Sequence, residues 1–170
     1  MFNYKIVLLG DFGTGKSSLI KRYVDNSFSE EYLSTIGVSI SNKAIDTSIN
    51  NLVYTSNTMI WDIEGKTDFK PILSHYLNGA KGFIIVADLT RRNTINLIEE
   101  HLTLCEKTAP NLPICIALNK SDFEHEEIDL VSFKELYPNI ILITKTSAKD
   151  DSNIEELFKT LSEKIVEQLL

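Results

Sequence analysis

The sequence is short of cysteine, and its two, Cys105 and Cys115, stand in apolar surroundings without CxxC spacing. That excludes a disulfide framework and a cysteine-built metal cluster, and it marks the pair as small buried hydrophobes suited to a reducing cytosol. Proline is sparse too, at four residues, and no Pro/Gly-rich tract, low-complexity stretch or internal repeat interrupts the 170 residues. One domain over residues 1–170 is therefore expected. Positive charge is in deficit too: 17 Lys and Arg face 24 Asp and Glu, a net charge of −7, and no basic run is present. General attraction to nucleic acid or anionic lipid is excluded on that ground, so any bound anion has to be held locally.

No apolar run nears the length that crosses a bilayer. The start, Met1-Phe2-Asn3-Tyr4-Lys5, offers neither a signal-type apolar region nor a glycine after the methionine. A cytoplasmic monomer is expected. The chain runs to Glu167-Gln168-Leu169-Leu170 without a terminal cysteine, so lipid anchoring would need a tail beyond it.

Short apolar runs do recur, at residues 5–9, 59–61, 83–87, 114–118 and 140–143, mostly separated by stretches of helical spacing. This is the pattern of repeated βα units. Strands apolar on both faces belong to a parallel sheet covered by helices on each side, which predicts an α/β three-layer sandwich. Between residues 37 and 62 the pattern changes to alternation, with Val38, Ile40 and Ala44 on one run and residues 52–60 on the next. The turn-prone Ser48-Ile49-Asn50-Asn51 between them predicts an antiparallel hairpin, and so a mostly parallel six-stranded sheet with one antiparallel edge strand. The last helix carries Ile154, Leu157, Phe158, Leu161, Ile165 and Leu169 on one stripe, with Ser152 and Glu155 spaced as a capping box.

Between the first strand and a helical stripe of Leu19, Ile20, Tyr23 and Val24 stands Gly10-Asp11-Phe12-Gly13-Thr14-Gly15-Lys16-Ser17. It fits the phosphate-loop pattern GxxxxGK[ST] in the required context. The residue types suit the chemistry. Glycines let backbone N–H groups turn inward around phosphates, a helix N-terminus adds positive potential, Lys16 reaches terminal phosphates and the Ser17 hydroxyl can reach Mg²⁺. A chance match in this length is on the order of one in a hundred, so a bare glycine turn is set aside. The predicted phosphate site is Asp11, Phe12, Gly13, Thr14, Gly15, Lys16, Ser17 and Ser18.

Such a loop serves ATPases, kinases and GTPases alike. The base must be read elsewhere. After the buried run 114–118 comes Asn119-Lys120-Ser121-Asp122, at the carboxyl edge where open α/β sheets bind ligands. Asp122 can accept two hydrogen bonds from guanine's ring N–H and exocyclic amine, a donor pair that adenine does not present. A second loop, Thr146-Ser147-Ala148-Lys149, follows the run 140–143 and can set the Ala148 N–H against the guanine oxygen.

With Ser34-Thr35-Ile36-Gly37 and Asp62-Ile63-Glu64-Gly65 in the same order, the sequence resembles a Ras-superfamily small GTPase of the Ras and Rab kind over essentially its whole length. That resemblance implies GTP/GDP and Mg²⁺ as cofactors and a role in signalling or vesicle trafficking. It implies that Phe28 packs against guanine and that the stem of Lys120 covers one face, beside Asn119, Ser147 and Lys149. Thr35 would join Ser17 on Mg²⁺ only with a γ-phosphate, Asp62 would hold the ion through water, and the Gly65 N–H would touch the γ-phosphate. These contacts would order two segments on GTP and release them on GDP. Effectors and regulators would dock on residues 30–45 and 63–76.

The catalytic set so implied is Lys16, Thr35, Gly65 and the residue after it, and there the sequence departs from the family. The usual glutamine is Lys66, which has donors and no acceptor for an attacking water. Phe12 fills a position commonly held by a small residue, and Glu64 adds charge beside Asp62, either free or paired to Lys66 in solvent. No arginine is expected at the γ-phosphate, because Arg22 lies on the first helix and Arg91-Arg92 begin the third. His75, His101 and His125 lack partners at metal spacing. The expectation is a GTP/GDP switch with weak hydrolysis. Its rivals are a GTP-locked binding module and an ATP-using kinase, the latter disfavoured by Asp122.

Overall fold

The structure, a computed structural model, describes all residues, 1–170. Strand β1 (Phe2–Gly10) is buried from Tyr4 onward, and its side chains divide by parity between two cores. Ile6 and Leu8 face one, Val7 and Leu9 the other. The same division runs along β4 (Ala80–Asp88) and β5 (Ile114–Asn119), as period-2 geometry requires of strands covered on both faces. On one side lie α1 (Lys16–Asp25) and α5 (Ile154–Leu169), where Tyr23 stacks on Phe158 at 4.0 Å. On the other lies α3 (Ile98–Thr108), which buries Ile98, Leu102 and Cys105. Cys105 and Cys115 sit in opposite cores as free thiols, and burial pushes the Cys115 thiol up to about 12, so both behave as the inert hydrophobes expected.

Two further helices, α2 (Arg92–Asn96) and α4 (Val131–Leu136), are single short turns beside the sheet. The sheet has six strands in the order β2-β3-β1-β4-β5-β6. Only β2 (Val38–Ile49) runs antiparallel, paired with β3 (Leu52–Ile63), and β6 (Ile140–Lys145) closes the far edge. The hairpin turns on Asn50 and Asn51, with φ of 51° and 64° between the paired Ile49 and Leu52, one residue later than the sequence suggested. Asparagine tolerates the left-handed region that a tight hairpin of the right twist demands.

One helix start differs from expectation. Ser152 does not cap α5: its backbone is bridged to Ser147 in both directions, at 3.0 and 3.3 Å. Asn153 occupies the cap position with φ of 60° and sends its amide to the Lys145 carbonyl instead. Local capping lost to a pairing that braces the loop after β6. Leu169, the last residue of the helix, is exposed.

Strand β1 lies between β3 and β4, and the chain leaves it to opposite sides. The crevice of an open α/β sheet forms at such a reversal, beyond the carboxyl ends of the strands. Gly10, Ile63, Asp88, Asn119 and Lys145 end their strands there.

Candidate functional site

A cavity of about 720 Å³ opens at that edge, a volume suited to a nucleotide-sized ligand. Gly13, Gly15, Lys16, Ser17 and Ser18 line one end. Helix α1 starts here with no side-chain cap, which leaves its first N–H groups aimed at the cavity. Gly15 stands at φ 96°, and a Cβ on it would lie 2.3 Å from the Asn119 amide, so only glycine fits. That amide donates to the Thr14 carbonyl at 2.9 Å while its oxygen accepts from the Thr146 hydroxyl at 3.0 Å. One asparagine thus ties three loops. Lys16 is almost wholly buried, and desolvation lowers its ammonium to about 8 despite Asp62 and Asp11 nearby. Its one hydrogen bond goes to the Asp11 carbonyl, at 3.1 Å, so this buried cation is short of counter-charge that phosphate oxygens would supply.

Beneath the loop is a brace that the sequence did not reveal. The Asp88 carboxylate accepts from Lys120 Nζ at 2.8 Å and Arg91 Nε at 3.0 Å. Lys120 also donates to the Gly13 carbonyl at 3.0 Å, and Arg91 Nη2 to the Phe12 carbonyl at 2.7 Å. Two consecutive carbonyls of the phosphate loop are held by cations sharing one anion. Arg91 thus reaches the loop from the turn after β4, through the Phe12 carbonyl and without lining the cavity, a contact the sequence did not signal. For Asp88 itself, a carboxylate ending a buried strand was the available signal.

Ser17, Thr35 and Asp62 converge as expected. Ser17 Oγ lies 2.8 Å from Thr35 Oγ1 and hydrogen bonds Asp62 Oδ2, which also accepts from Thr35 at 3.2 Å. Asp62 Oδ1 is buried with no partner, and burial raises the carboxyl although Ser17, Lys16 and Thr35 oppose the shift. Hydroxyl and carboxylate oxygens around an orphaned buried oxygen fit a hard divalent cation such as Mg²⁺.

At the opposite end of the cavity are Phe28, Asn119, Lys120, Asp122, Phe123, Ala148 and Lys149. Ser147 does not line it but donates to Asp122 Oδ1 at 2.8 Å, holding that carboxylate in place. Arg22, on α1, grips the second loop through the carbonyls of Ala148 at 2.7 Å and Lys149 at 3.0 Å. The Lys149 ammonium pairs with Glu30 at 3.1 Å across the cavity mouth.

Several expected site residues stand elsewhere. Thr14 is buried under the loop, and the Asp11 carboxylate turns away to His101 Nε2 at 2.9 Å in a buried pair. Lys66 leaves the cavity and pairs with Glu100 of α3 at 3.3 Å. Glu64 therefore has a different partner from the one considered: Lys70 at 2.8 Å and the Gly37 N–H at 3.1 Å. Those two hold its carboxyl below the usual range, Lys70 being the larger cause. Phe12 does reach the cavity, edge-on to Tyr32 at 5.5 Å between centroids.

A phosphate loop at the switch point of a 2-3-1-4-5-6 sheet, a hydroxyl–carboxylate cluster beside it and two loops at the far end define a Ras-like P-loop GTPase fold. The Ras family's sequence model matches residues 5–167. The GTP-binding protein ypt1 of Schizosaccharomyces pombe is 33% identical over 169 residues, spanning 98% of this chain and 81% of its own. The Ras-related protein RABD2a of Arabidopsis thaliana is 36% identical over 169 residues with the same coverage, 98% and 81%. The Ras-related protein Rab-11A of Dictyostelium discoideum is 37% identical over 161 residues, 93% of this chain and 73% of its own. The chain belongs to the Ras family of small GTPases. Members bind GTP or GDP with Mg²⁺ and recruit effectors, and at that level the chain is a GTP-binding switch. No helix in it is long and apolar enough to cross a membrane.

Proposed function

We propose that this chain is a guanine-nucleotide switch in which hydrolysis is slow, acting in vesicle trafficking or signalling. The observation that carries the slow step is the Lys66 side chain, which points to Glu100 and not into the cavity. An ammonium has no lone pair to accept a hydrogen bond from a nucleophilic water, so neither its chemistry nor its direction orients one. Phe12 adds a second deficit, because its ring against Tyr32 narrows the approach an arginine supplied in trans would use.

Within the site, Lys16 and the uncapped start of α1 would bind and neutralise phosphates, and Asp122, held by Ser147, would accept from guanine. Bound Mg²⁺ would supply charge neutralisation between terminal phosphates, held by Ser17 and Thr35 with Asp62 behind them. Phe28 and the Lys120 stem would cover the base, and the Gly65 N–H would sense the terminal phosphate. Tyr32 and Leu33 line the cavity and are exposed, as are Ile36, at 85%, Phe69, at 98%, and Leu73. These exposed apolar residues, within residues 30–45 and 63–76, would receive effector and regulatory proteins. A GTP-locked binding module is the second reading, and the same Lys66 geometry favours it.

Single-turnover hydrolysis of preloaded GTP tests the proposal, with the parent, Lys66→Gln, and Phe12→Gly combined with Lys66→Gln. The double variant is expected to be fastest. A parent rate equal to or above it refutes the slow-hydrolysis reading, and a parent with no turnover selects the locked module.

A further inference from the structure

The side chains that fit a divalent cation face two cavities at once. Ser17, Thr35 and Asp62 line the nucleotide-sized cavity, and the same three line a second one of about 440 Å³. Leu33 and Thr35 belong to both, whereas Ser34 and Ile36 line only the second, so this stretch of loop is the partition between them.

One wall of the second cavity is a single face of α1. Ser17, Ile20, Lys21, Val24 and Asp25 recur there at the three- and four-residue spacing of one helical stripe. Ser39 and Ser41 of β2 form the opposite wall. From Ser17 near the start of the helix to Asp25 at its end, the path runs about 12 Å along the helix axis. Asp25, Ser34 and Ser39 are exposed, so its outer end opens to solvent. Asp62, whose Oδ1 is buried without a partner, lies at the inner end.

The lining suits a hydrated cation. Mg²⁺ gives up its waters reluctantly, and six of them occupy roughly 180 Å³, which the second cavity can hold. The hydroxyls of Ser34, Ser39 and Ser41 can accept hydrogen bonds from those waters, and the Asp25 carboxylate puts negative charge at the outer end. The Lys21 ammonium, midway along the stripe, opposes a cation.

We propose that the second cavity is the route by which a divalent cation reaches and leaves Ser17 and Asp62 while the nucleotide stays in the first, with Asp25 and Lys21 setting the rate. This rests on the guanine-nucleotide and Mg²⁺ reading and adds a path to it. Reversing the charge at Asp25 slows a divalent ion passing at contact distance by roughly threefold to twentyfold at low salt, and by less at high salt. Neutralising Lys21 speeds it by roughly twofold to fivefold.

The experiment loads the protein with GDP and Mn²⁺, mixes it with excess Mg²⁺, and follows Mn²⁺ release by its electron-spin signal and release of a fluorescent GDP in parallel. The parent is compared with Asp25→Lys, Lys21→Gln and Ser41→Phe, the last placing a ring in the path. Mn²⁺ is expected to leave the parent before GDP does, to leave Asp25→Lys and Ser41→Phe more slowly, and to leave Lys21→Gln faster. The GDP off-rate of Asp25→Lys is expected to equal the parent's. A merely structural disturbance would not move the two charge variants in opposite directions. If Ser41→Phe fails to fold, those two variants decide. Mn²⁺ that leaves the parent no sooner than GDP, charge variants that do not diverge, or a folded Ser41→Phe with the parent's rate each overturns the route and leaves the guanine reading standing. GDP binding indifferent to the cation overturns the Mg²⁺ reading with the route, and a parent that binds no GDP overturns the guanine reading itself.

Discussion

Replacing Asp88 by asparagine should cost the protein stability and loosen its hold on nucleotide at once. The carboxylate is 1% exposed and accepts from the Thr90 N–H at 2.8 Å, the Thr90 hydroxyl at 2.6 Å, Arg91 at 3.0 Å and Lys120 at 2.8 Å. Asparagine keeps the shape and one acceptor but puts an amide donor against two cations. A charged hydrogen bond is worth roughly 1.5–3 kcal/mol, but Arg91 and Lys120 are each more than a third exposed and regain water when released. The net loss is then about 2 kcal/mol, a fall in Tm of about 4–8 °C for a chain of this size. Urea unfolding at neutral pH measures it directly. Burial by itself would raise the Asp88 carboxyl, yet the hydrogen bonds from Lys120, Thr90 and Arg91 outweigh it and hold the group below its ordinary value. A depressed carboxyl stabilises the fold above the unfolded value near about 3.9, and that contribution disappears as pH falls through the lower folded value. The gap between parent and variant should therefore narrow below about pH 4. With Lys120 and Arg91 unpinned from the Gly13 and Phe12 carbonyls, GDP should also dissociate faster. Equal unfolding midpoints and equal GDP off-rates at neutral pH would refute the brace.

Two more outcomes follow from the same geometry. Gly15→Ala should abolish nucleotide binding and lower Tm, because its Cβ would meet the Asn119 amide at 2.3 Å in a left-handed backbone position; wild-type affinity in isothermal titration would contradict this. Ser17→Asn removes the hydroxyl that meets Thr35 and Asp62, so Mg²⁺-dependent binding should weaken for GTPγS more than for GDP, and an equal, small effect on both would count against the cation cluster.

Much of this molecule was readable in advance because its strands are buried on both faces and its motifs fall at their ends. Residues 5–9, 83–87 and 114–118 could be recognised as strands without any partner in view, and Gly10 to Ser17 carries its phosphate-loop geometry in its own spacing. What escaped the sequence is pairing across the chain. Arg91 reaches Phe12 from 79 residues away, His101 reaches Asp11 from 90, and Arg22 reaches Ala148 from 126. Nothing local in any of these marks the other, and only the sheet order brings them to one edge. Ser152 shows the opposite failure: a correct local signal for a cap was overridden when its backbone paired with Ser147. Lys66 combined both, since its loss of glutamine chemistry was legible but its direction depended on Glu100.

The most direct test of the account is whether Asp122 chooses the base. Affinities for GDP, ADP and XDP should be measured for the parent and for Asp122→Asn, with unfolding curves to show that both are folded. The parent should prefer GDP to ADP by roughly a thousandfold or more, since a site built to accept from guanine leaves its carboxylate unpaired against adenine. Asp122→Asn should lose GDP and gain XDP, because its amide offers a donor to xanthine's extra carbonyl. Equal affinity of the parent for GDP and ADP, or a variant that keeps GDP and gains nothing for XDP, would contradict the guanine-nucleotide reading at its root.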